Sequence, residues 1–187
     1  MNDTTARLEA VERALHEVLT VDELGGAPLA LLEDALGSSQ SLLYAYGFQG
    51  QPLMLGGRLR ERALADYGPE IFLRDPLHPY MRAKSPRFLL RPDGHTHEEV
   101  ARSDAYAAFY GPAEADHYLG IWPTSLPYGA PGMFGVFLAR SRRSGTFDDR
   151  ALDVLTRLEP AFRVMARRVA RVARLERARA ALLAAAG

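Results

Sequence analysis

Apolar residues along the chain fall into two rhythms. Near the N-terminus Leu8, Val11, Leu15, Val18 and Leu19 recur at helical spacing, and Asp3, Thr4 and Thr5 offer N-caps. An amphipathic helix is therefore predicted over residues 4–19. Gly25-Gly26 breaks the chain, and Pro28 opens a second helix with Leu29, Leu32, Ala35 and Leu36 on one face and Gly37 as its stop. At Ser39 the texture becomes strand-like. Residues 41–48 are aromatic-rich, Gln49-Gly50-Gln51 makes a turn, and residues 52–56 read as the returning strand of a hairpin. A helix is expected over 58–68 with Leu59, Ala63, Leu64 and Tyr67 inward. It is followed by an irregular or short-helix segment over 71–80, punctuated by prolines, and a short strand over 87–91. Residues 92–97 read as a polar loop and 98–110 as a helix ending at Gly111-Pro112. Two further strands, 117–124 and 133–141, flank a turn-rich loop.

The last forty residues carry the longest pattern. From Phe147 to Ala186 there is one proline, Pro160, and no glycine. Leu155, Leu158, Phe162, Met165, Val169 and Val172 recur in alternating steps of three and four, which suits a coiled-coil seam or a helix docked along a sheet. Thr146 is the expected cap, with Asp149 as its reciprocal acid. A helix of roughly 35 residues spans about 50 Å, more than a domain of this size needs to close its own core. The excess is expected to pair with a second copy or to pass a signal beyond Gly187, and the six seam residues are the expected dimer interface.

Hairpins on both sides of a helical insertion imply an α+β fold: an antiparallel sheet of about five strands with helices on its faces. Three segments follow: N-terminal packing or dimerisation helices over 1–38, a core over 39–147 and the long signalling helix over 148–187. Composition fits a single domain, since 48% hydrophobic and 25% charged residues allow an ordinary core. No apolar run approaches the roughly 20 residues of a membrane span, and the polar, acidic N-terminus is not a signal peptide. The absence of cysteine removes disulfides, thiolate metal sites, thiol nucleophiles and thioether-linked chromophores together. These features suit a cytoplasmic protein.

Formal charge is zero, but residues 148–187 hold nine arginines against five acids. A basic helix raises the question of nucleic acid. Arginines flanking an apolar seam are the ordinary solvated face of a long helix, however, and no aromatics interleave for base stacking. No nucleic acid contact by this chain is expected. Lys84 is the sole lysine, so arginine is simply the chain's default cation.

His95-Thr96-His97-Glu98-Glu99 is the one cluster with metal-ligand chemistry. Pro92-Asp93-Gly94 mark a solvent turn before it, and His117 is distant in sequence. The plainer reading is an exposed loop leading into a helix, with Thr96 as cap and Glu99 at the third position. His78, close to Pro76 and Pro79, reads as surface or rim. No phosphate-cradling glycine loop, nucleophile elbow or HExxH occurs. No catalytic residue, metal or cofactor is expected, and the chain is not read as an enzyme.

Three phrases carry a resemblance. Tyr67 is followed eight residues later by Asp75-Pro76, with Tyr80 just after. Residues 102–112, Arg-Ser-Asp-Ala-Tyr-Ala-Ala-Phe-Tyr-Gly-Pro, form a short helical phrase before a strand. Gly135 to Leu138 and then Arg140 to Leu155 give a final strand, a basic turn, Phe-Asp-Asp and a leucine-bearing helix. In this order they resemble GAF-like sensor domains, and more narrowly the autoinducer-binding N-terminal half of LuxR-type transcription regulators, over about residues 25–172. The resemblance implies a GAF/PAS-like sheet and a small-molecule pocket between it and its covering helices. Tyr44, Tyr46, Tyr67, Phe72, Asp75, Tyr80, Phe109 and Trp122 would line that pocket, with Asp75 accepting a hydrogen bond from a ligand amide. Four of these have a plain alternative: Asp75-Pro76 is common turn chemistry, and Tyr44, Tyr46 and Trp122 could be core. LuxR-type regulators carry a helix-turn-helix module after the sensor, and no such module fits after this long helix. The chain is then either the sensor part of a longer regulator or a stand-alone sensor. Two functions follow: a bacterial small-molecule sensor that forms a homodimer and acts in transcription regulation through its last helix, or a ligand-free interaction module.

Overall fold

The computed structural model describes residues 3–46, 52–57, 69–77, 87–90, 94–123 and 133–186. The first two helices follow the apolar rhythm: α1 is Asp3–Glu17 and α3 is Ala27–Leu36, with the short α2, Val21–Leu24, between them. The α2 turn is held by a capping box. Thr20 Oγ1 accepts from Glu23 N at 3.3 Å, while Glu23 Oε2 accepts from the Leu19 and Thr20 amides at 2.6 and 3.1 Å. Pro28 sits in the first turn of α3, and Gly37 ends it at φ 60°, a left-handed conformation that costs glycine no steric penalty.

Strands β1 (Gln40–Tyr46), β2 (Pro52–Gly57), β3 (Arg87–Leu90), β4 (His117–Pro123) and β5 (Met133–Arg140) hydrogen-bond in the order β2-β1-β5-β4-β3, every neighbouring pair antiparallel. The β1–β2 hairpin read from the sequence is present, with a register irregularity between Leu43 and Tyr44. The last strand, β5, runs between β1 and β4 and so ties the N-terminal hairpin to the second half of the sheet. The α+β class and the antiparallel sheet are as expected.

The helical insertion departs from its prediction. The short helix α4 (Pro69–Arg74) realises one of the two readings of its segment, but α5 (Gly94–Ala101) starts inside the predicted loop, so Thr96 cannot be its cap. The predicted helix over 98–110 is split. Arg102 and Ser103 close α5 with tight i→i−3 bonds, and Ser103 Oγ donates to Val100 O while accepting from Tyr106 N. A serine bonding its neighbouring backbone this way competes with helix continuation. The chain resumes as a single π turn, Tyr106–Tyr110, closed by Gly111 N donating to Tyr106 O at 2.7 Å. The predicted helix over 58–68 and loop over 125–132 lie outside the described residues.

The closing helix, α6 (Asp149–Ala186), has 38 residues. Its cap is Asp148 rather than Thr146: Asp148 Oδ1 accepts from Ala151 N at 2.9 Å, while the Thr146 carbonyl is held by Arg140 Nη1 at 2.9 Å. Pro160 lies on the exposed side. There its missing donor leaves a carbonyl that water can reach.

One face of the sheet, through Leu119, Ile121, Val136 and Leu138, packs into a single apolar core with Val11 and Leu15 of α1, Leu29 and Leu32 of α3, and the apolar stripe of α6. On the same face Ser41 donates to buried Glu33 of α3 at 2.7 Å. Five of the six seam residues belong to this core. Leu155, Leu158, Phe162 and Met165 are fully buried within one chain and Val169 nearly so, docked on the chain's own sheet and α1. They cannot also be a dimer interface, because a side chain already removed from water has no further apolar area to bury. Val172, partly buried, marks where this core ends, and from Arg174 to Ala185 α6 runs on exposed. Among the described residues no helix is long and apolar enough to cross a membrane.

Candidate functional site

The opposite face of the sheet has different chemistry. Strand alternation brings Tyr118 and Gly120 of β4 and Gly135, Phe137 and Ala139 of β5 to that side. Large residues lie across from small ones: Tyr118 pairs with Ala139, and Phe137 with Gly120. The Tyr118 and Phe137 rings stack with centroids 5.5 Å apart. The π turn delivers a third ring onto them. Tyr110 stacks on Tyr118 at 5.5 Å, lies tilted on Phe137 at 6.1 Å, and meets Phe109 edge-on at 5.0 Å. Offset and edge contacts of this kind are the favoured aromatic arrangements.

Asp75 is set beneath this cluster. It follows α4 directly and is only 1% exposed. Its Oδ1 accepts from the Leu77 amide and its Oδ2 from the Tyr110 hydroxyl, both at 2.8 Å. A buried carboxylate without donors would be costly, and these two offset that cost through charge-assisted bonds. Both readings of the Asp75-Pro76 dipeptide are thus partly realised. The Leu77 bond is turn chemistry, and the Tyr110 bond places the acid against the aromatic face. Burial, and secondarily the nearby Asp75 charge, push the Tyr118 phenol well above its ordinary range, so that hydroxyl stays protonated.

Gln40 extends the same face at the start of β1. It pairs with Ala139, which also pairs with Tyr118, so the three form one row across the sheet. Gln40 Nε2 donates to the Ala113 carbonyl, and Gln40 Oε1 is buried without a hydrogen-bond partner.

Of the predicted ligand residues, Asp75 and Phe109 are brought together around Tyr110. For Tyr44, Tyr46, Phe72 and Trp122 the description extends to the backbone. Tyr44 pairs with Gly135 and Tyr46 with Met133, in the same alternate register as Phe137, while Trp122 pairs with Phe88. Phe72 is in α4. Tyr67 and Tyr80 lie outside the described residues. Sequence reasoning missed Tyr110, Tyr118, Phe137 and Gln40. The period of two along β4 and β5 separates Tyr118 and Phe137 from their aliphatic neighbours, and that signal was available.

Other candidates are accounted for by the fold. His95 and His97 fall in α5 rather than in a loop or strand. Among the described residues no group of three His, Asp or Glu side chains converges as a metal set would. A cleft of about 400 Å³ between α1, α3 and the start of α6 is lined by Arg7, Asp34, Arg140 and Asp148. Its polar groups hold the structure together: Arg140 Nε donates to Gly37 O at 2.9 Å, its guanidinium lies 4.2 Å over the Phe147 ring, and Arg7 pairs with Asp34.

No family model matches the chain, and no curated protein matches its sequence. Solved structures do match its fold. The VqsR LBD domain from Pseudomonas aeruginosa is 13% identical with a TM-score of 0.62, over 88% of this chain and 94% of that one. The N-acylhomoserine lactone dependent LuxR family transcription factor CepR2 from Burkholderia cenocepacia is 16% identical at 0.55, over 88% and 92%. The GAF domain from an Acinetobacter phosphoenolpyruvate-protein phosphotransferase is 12% identical at 0.54, over 89% and 94%. The fold is GAF-like. Both likenesses read from the sequence, to GAF domains and to LuxR-type ligand-binding domains, have counterparts among these structures.

Proposed function

We propose that this chain is a small-molecule sensor domain whose ligand seats on the aromatic face of the sheet. The observation that carries this reading is Asp75: a buried carboxylate fixed by two donors against three packed rings, on a fold shared with ligand-binding domains. Small-molecule sites combine largely apolar walls with a few fixed polar groups. Asp75 and Gln40 Oε1 would accept hydrogen bonds, and the rings would cover a flat or acyl moiety. An acyl-homoserine lactone is one ligand of suitable chemistry. In this reading the chain does no catalysis and contacts no nucleic acid itself. Its exposed helix end pairs with a second copy and passes the ligand state to a transcription-regulating partner segment.

Native mass spectrometry, followed by the same sample denatured, tests the proposal. A small component that leaves on denaturation, and whose retention falls at least tenfold in Asp75→Asn, is the expected result. Bare polypeptide from bacterial lysate, together with no binding from a panel of acyl-homoserine lactones, would sink it. One observation favours the second reading, a ligand-free interaction module: both Asp75 oxygens already have donors within the chain. That reading expects bare polypeptide in every preparation.

A further inference from the structure

The π turn has polar contacts at both of its ends. Tyr110, its last residue, donates to Asp75 Oδ2 at 2.8 Å, on the aromatic face. Tyr106, its first residue, donates to Asp116 Oδ1 at 2.8 Å, and that bond is the main reason its phenol sits above its ordinary range. Asp116 in turn accepts the backbone amide of Arg142 on Oδ2 at 2.9 Å. Arg142 opens the short 3-10 turn Arg142–Ser144, and Gly145, at φ 73°, leads from it to Asp148, the cap of α6. An unbroken line of bonds therefore runs from the buried carboxylate to the first turn of the longest helix. The segment between the two tyrosines is the least regular backbone in that line. Ala115 N also closes a five-residue turn onto Tyr110 O at 2.8 Å, and Glu114 has φ 54° without being glycine. A π turn holds one residue more than an α turn, so its conversion to α would move everything after Tyr110 by one position. A Cβ on Gly111 would lie 3.0 Å from Tyr106 O, so a side chain there would crowd the π closure.

We infer that the π turn Tyr106–Tyr110 is a relay that couples the hydrogen-bonding state of Asp75 to the start of α6, through Tyr106, Asp116 and the Arg142 amide. It rests on the sensor reading for its purpose but not for its existence. A ligand donor that takes Asp75 Oδ2 competes with the Tyr110 hydroxyl. Releasing Tyr110 frees the turn's last residue, and Asp116 carries the change to the loop that positions Asp148. Tyr110 bonds Asp75 and Tyr106 bonds Asp116, so the π turn is what joins the two contacts. Tyr106, Tyr110 and Asp116 are positioning residues in this scheme, and Asp75 is the binding group.

The test is a double-mutant cycle read by amide hydrogen exchange on the full chain, without ligand. The probes are the Arg142 amide, which Asp116 accepts, and the Ala151 amide, which Asp148 accepts. Tyr110→Phe alone should speed exchange at both probes several-fold, although it touches neither. Asp116→Asn alone should do the same at Arg142. In the double variant the increase should be no greater than the larger single effect, because the second change cuts a link already broken. Fold-increases that multiply, or a Tyr110→Phe variant that leaves both amides at the wild-type rate, would overturn the relay. Should either variant fold poorly by circular dichroism, Asp75→Asn gives the same perturbation from the other side of the Tyr110 bond and carries the same two outcomes. Loss of the ligand hypothesis by mass spectrometry would leave these exchange results standing, and additive exchange would leave ligand binding standing.

Discussion

The two faces of the sheet solve different problems with the same strands. Along β4 and β5, Leu119, Ile121, Val136 and Leu138 meet three helices in a mainly apolar core, while Tyr118 and Phe137, one residue out of phase, meet rings and the Asp75 carboxylate. The helix face is held by non-directional burial, where volume matters and exact partners matter less. The aromatic face is held by hydrogen bonds with fixed geometry, where one lost partner leaves another buried group unsatisfied. A fold needs the first kind of face to stand. The second kind is an expensive way to fill space and earns its place where something must be recognised.

The sharpest way to break that contrast is a truncation on each side. Phe162→Ala removes a fully buried ring from the helix face, and urea unfolding should show a loss of about 3–5 kcal/mol. Asp75→Asn keeps the shape of the opposite face but leaves one oxygen for two donors, the Leu77 amide and the Tyr110 hydroxyl. Its cost should be smaller, roughly 1–3 kcal/mol, and its effect on ligand retention larger than that of Phe162→Ala in protein that remains folded. Equal effects of the two on binding would mean the faces are not functionally distinct.

Titration sharpens the comparison from another side. Tyr118 has its phenol pKa raised by burial and by Asp75, and Tyr106 has its own raised by the bond to Asp116. For an acid whose folded pKa lies above its unfolded value near 10.0, folded and unfolded chains bind the same proton below that pH. Above it the unfolded chain loses its proton first, so stability falls as pH rises. Each such proton adds a slope of up to about 1.4 kcal/mol per pH unit. Unfolding free energies measured from pH 8 to 11 should be flat and then decline, and Tyr118→Phe should flatten the decline. A wild-type profile that stays level to pH 11 would show that Tyr118 is far less enclosed than its place on this face requires.

How much of this was legible in the sequence depends on which face is considered. Helix α3, with Pro28 at its entry and Gly37 at its stop, follows from local chemistry, as does the β1–β2 hairpin. The α6 seam was legible as a pattern but not as a partner: steps of three and four serve a coiled coil and a helix on a sheet alike, and only the packing decides. The aromatic face was half legible. Asp75 stood out through its spacing from Tyr67 and the proline after it, yet Tyr110, which holds it, lay in a segment predicted as plain helix. Ser103 and the five-residue closure at Gly111 are what turn that helix into a relay, and neither has a periodic signature.

The smallest expected effect concerns the part of α6 that neither face uses. Val164, Leu175 and Leu182 are exposed and fall within about 20° of one another around the helix axis at 3.6 residues per turn. That stripe lies on the far side from Phe162 and Leu155. Leu175 is 55% and Leu182 72% exposed, so replacing either by serine should leave the unfolding free energy within about 0.5 kcal/mol of wild type. Met165→Lys, by contrast, places a charge in the apolar core and should unfold the chain, although the sequence pattern alone assigned it to assembly. If the proposed pairing of helix ends is real, sedimentation should show the Leu175→Ser, Leu182→Ser double variant as a folded monomer where wild type is a dimer. Four arginines against one glutamate over residues 171–186 oppose side-by-side pairing of two such ends. Raising salt from 50 to 500 mM should therefore tighten a wild-type dimer made this way, since screening weakens the repulsion and leaves the apolar contact intact. A dimer that loosens with salt would instead place the contact between this basic helix and the acidic surface of α1, where Glu9, Glu12 and Glu17 are exposed.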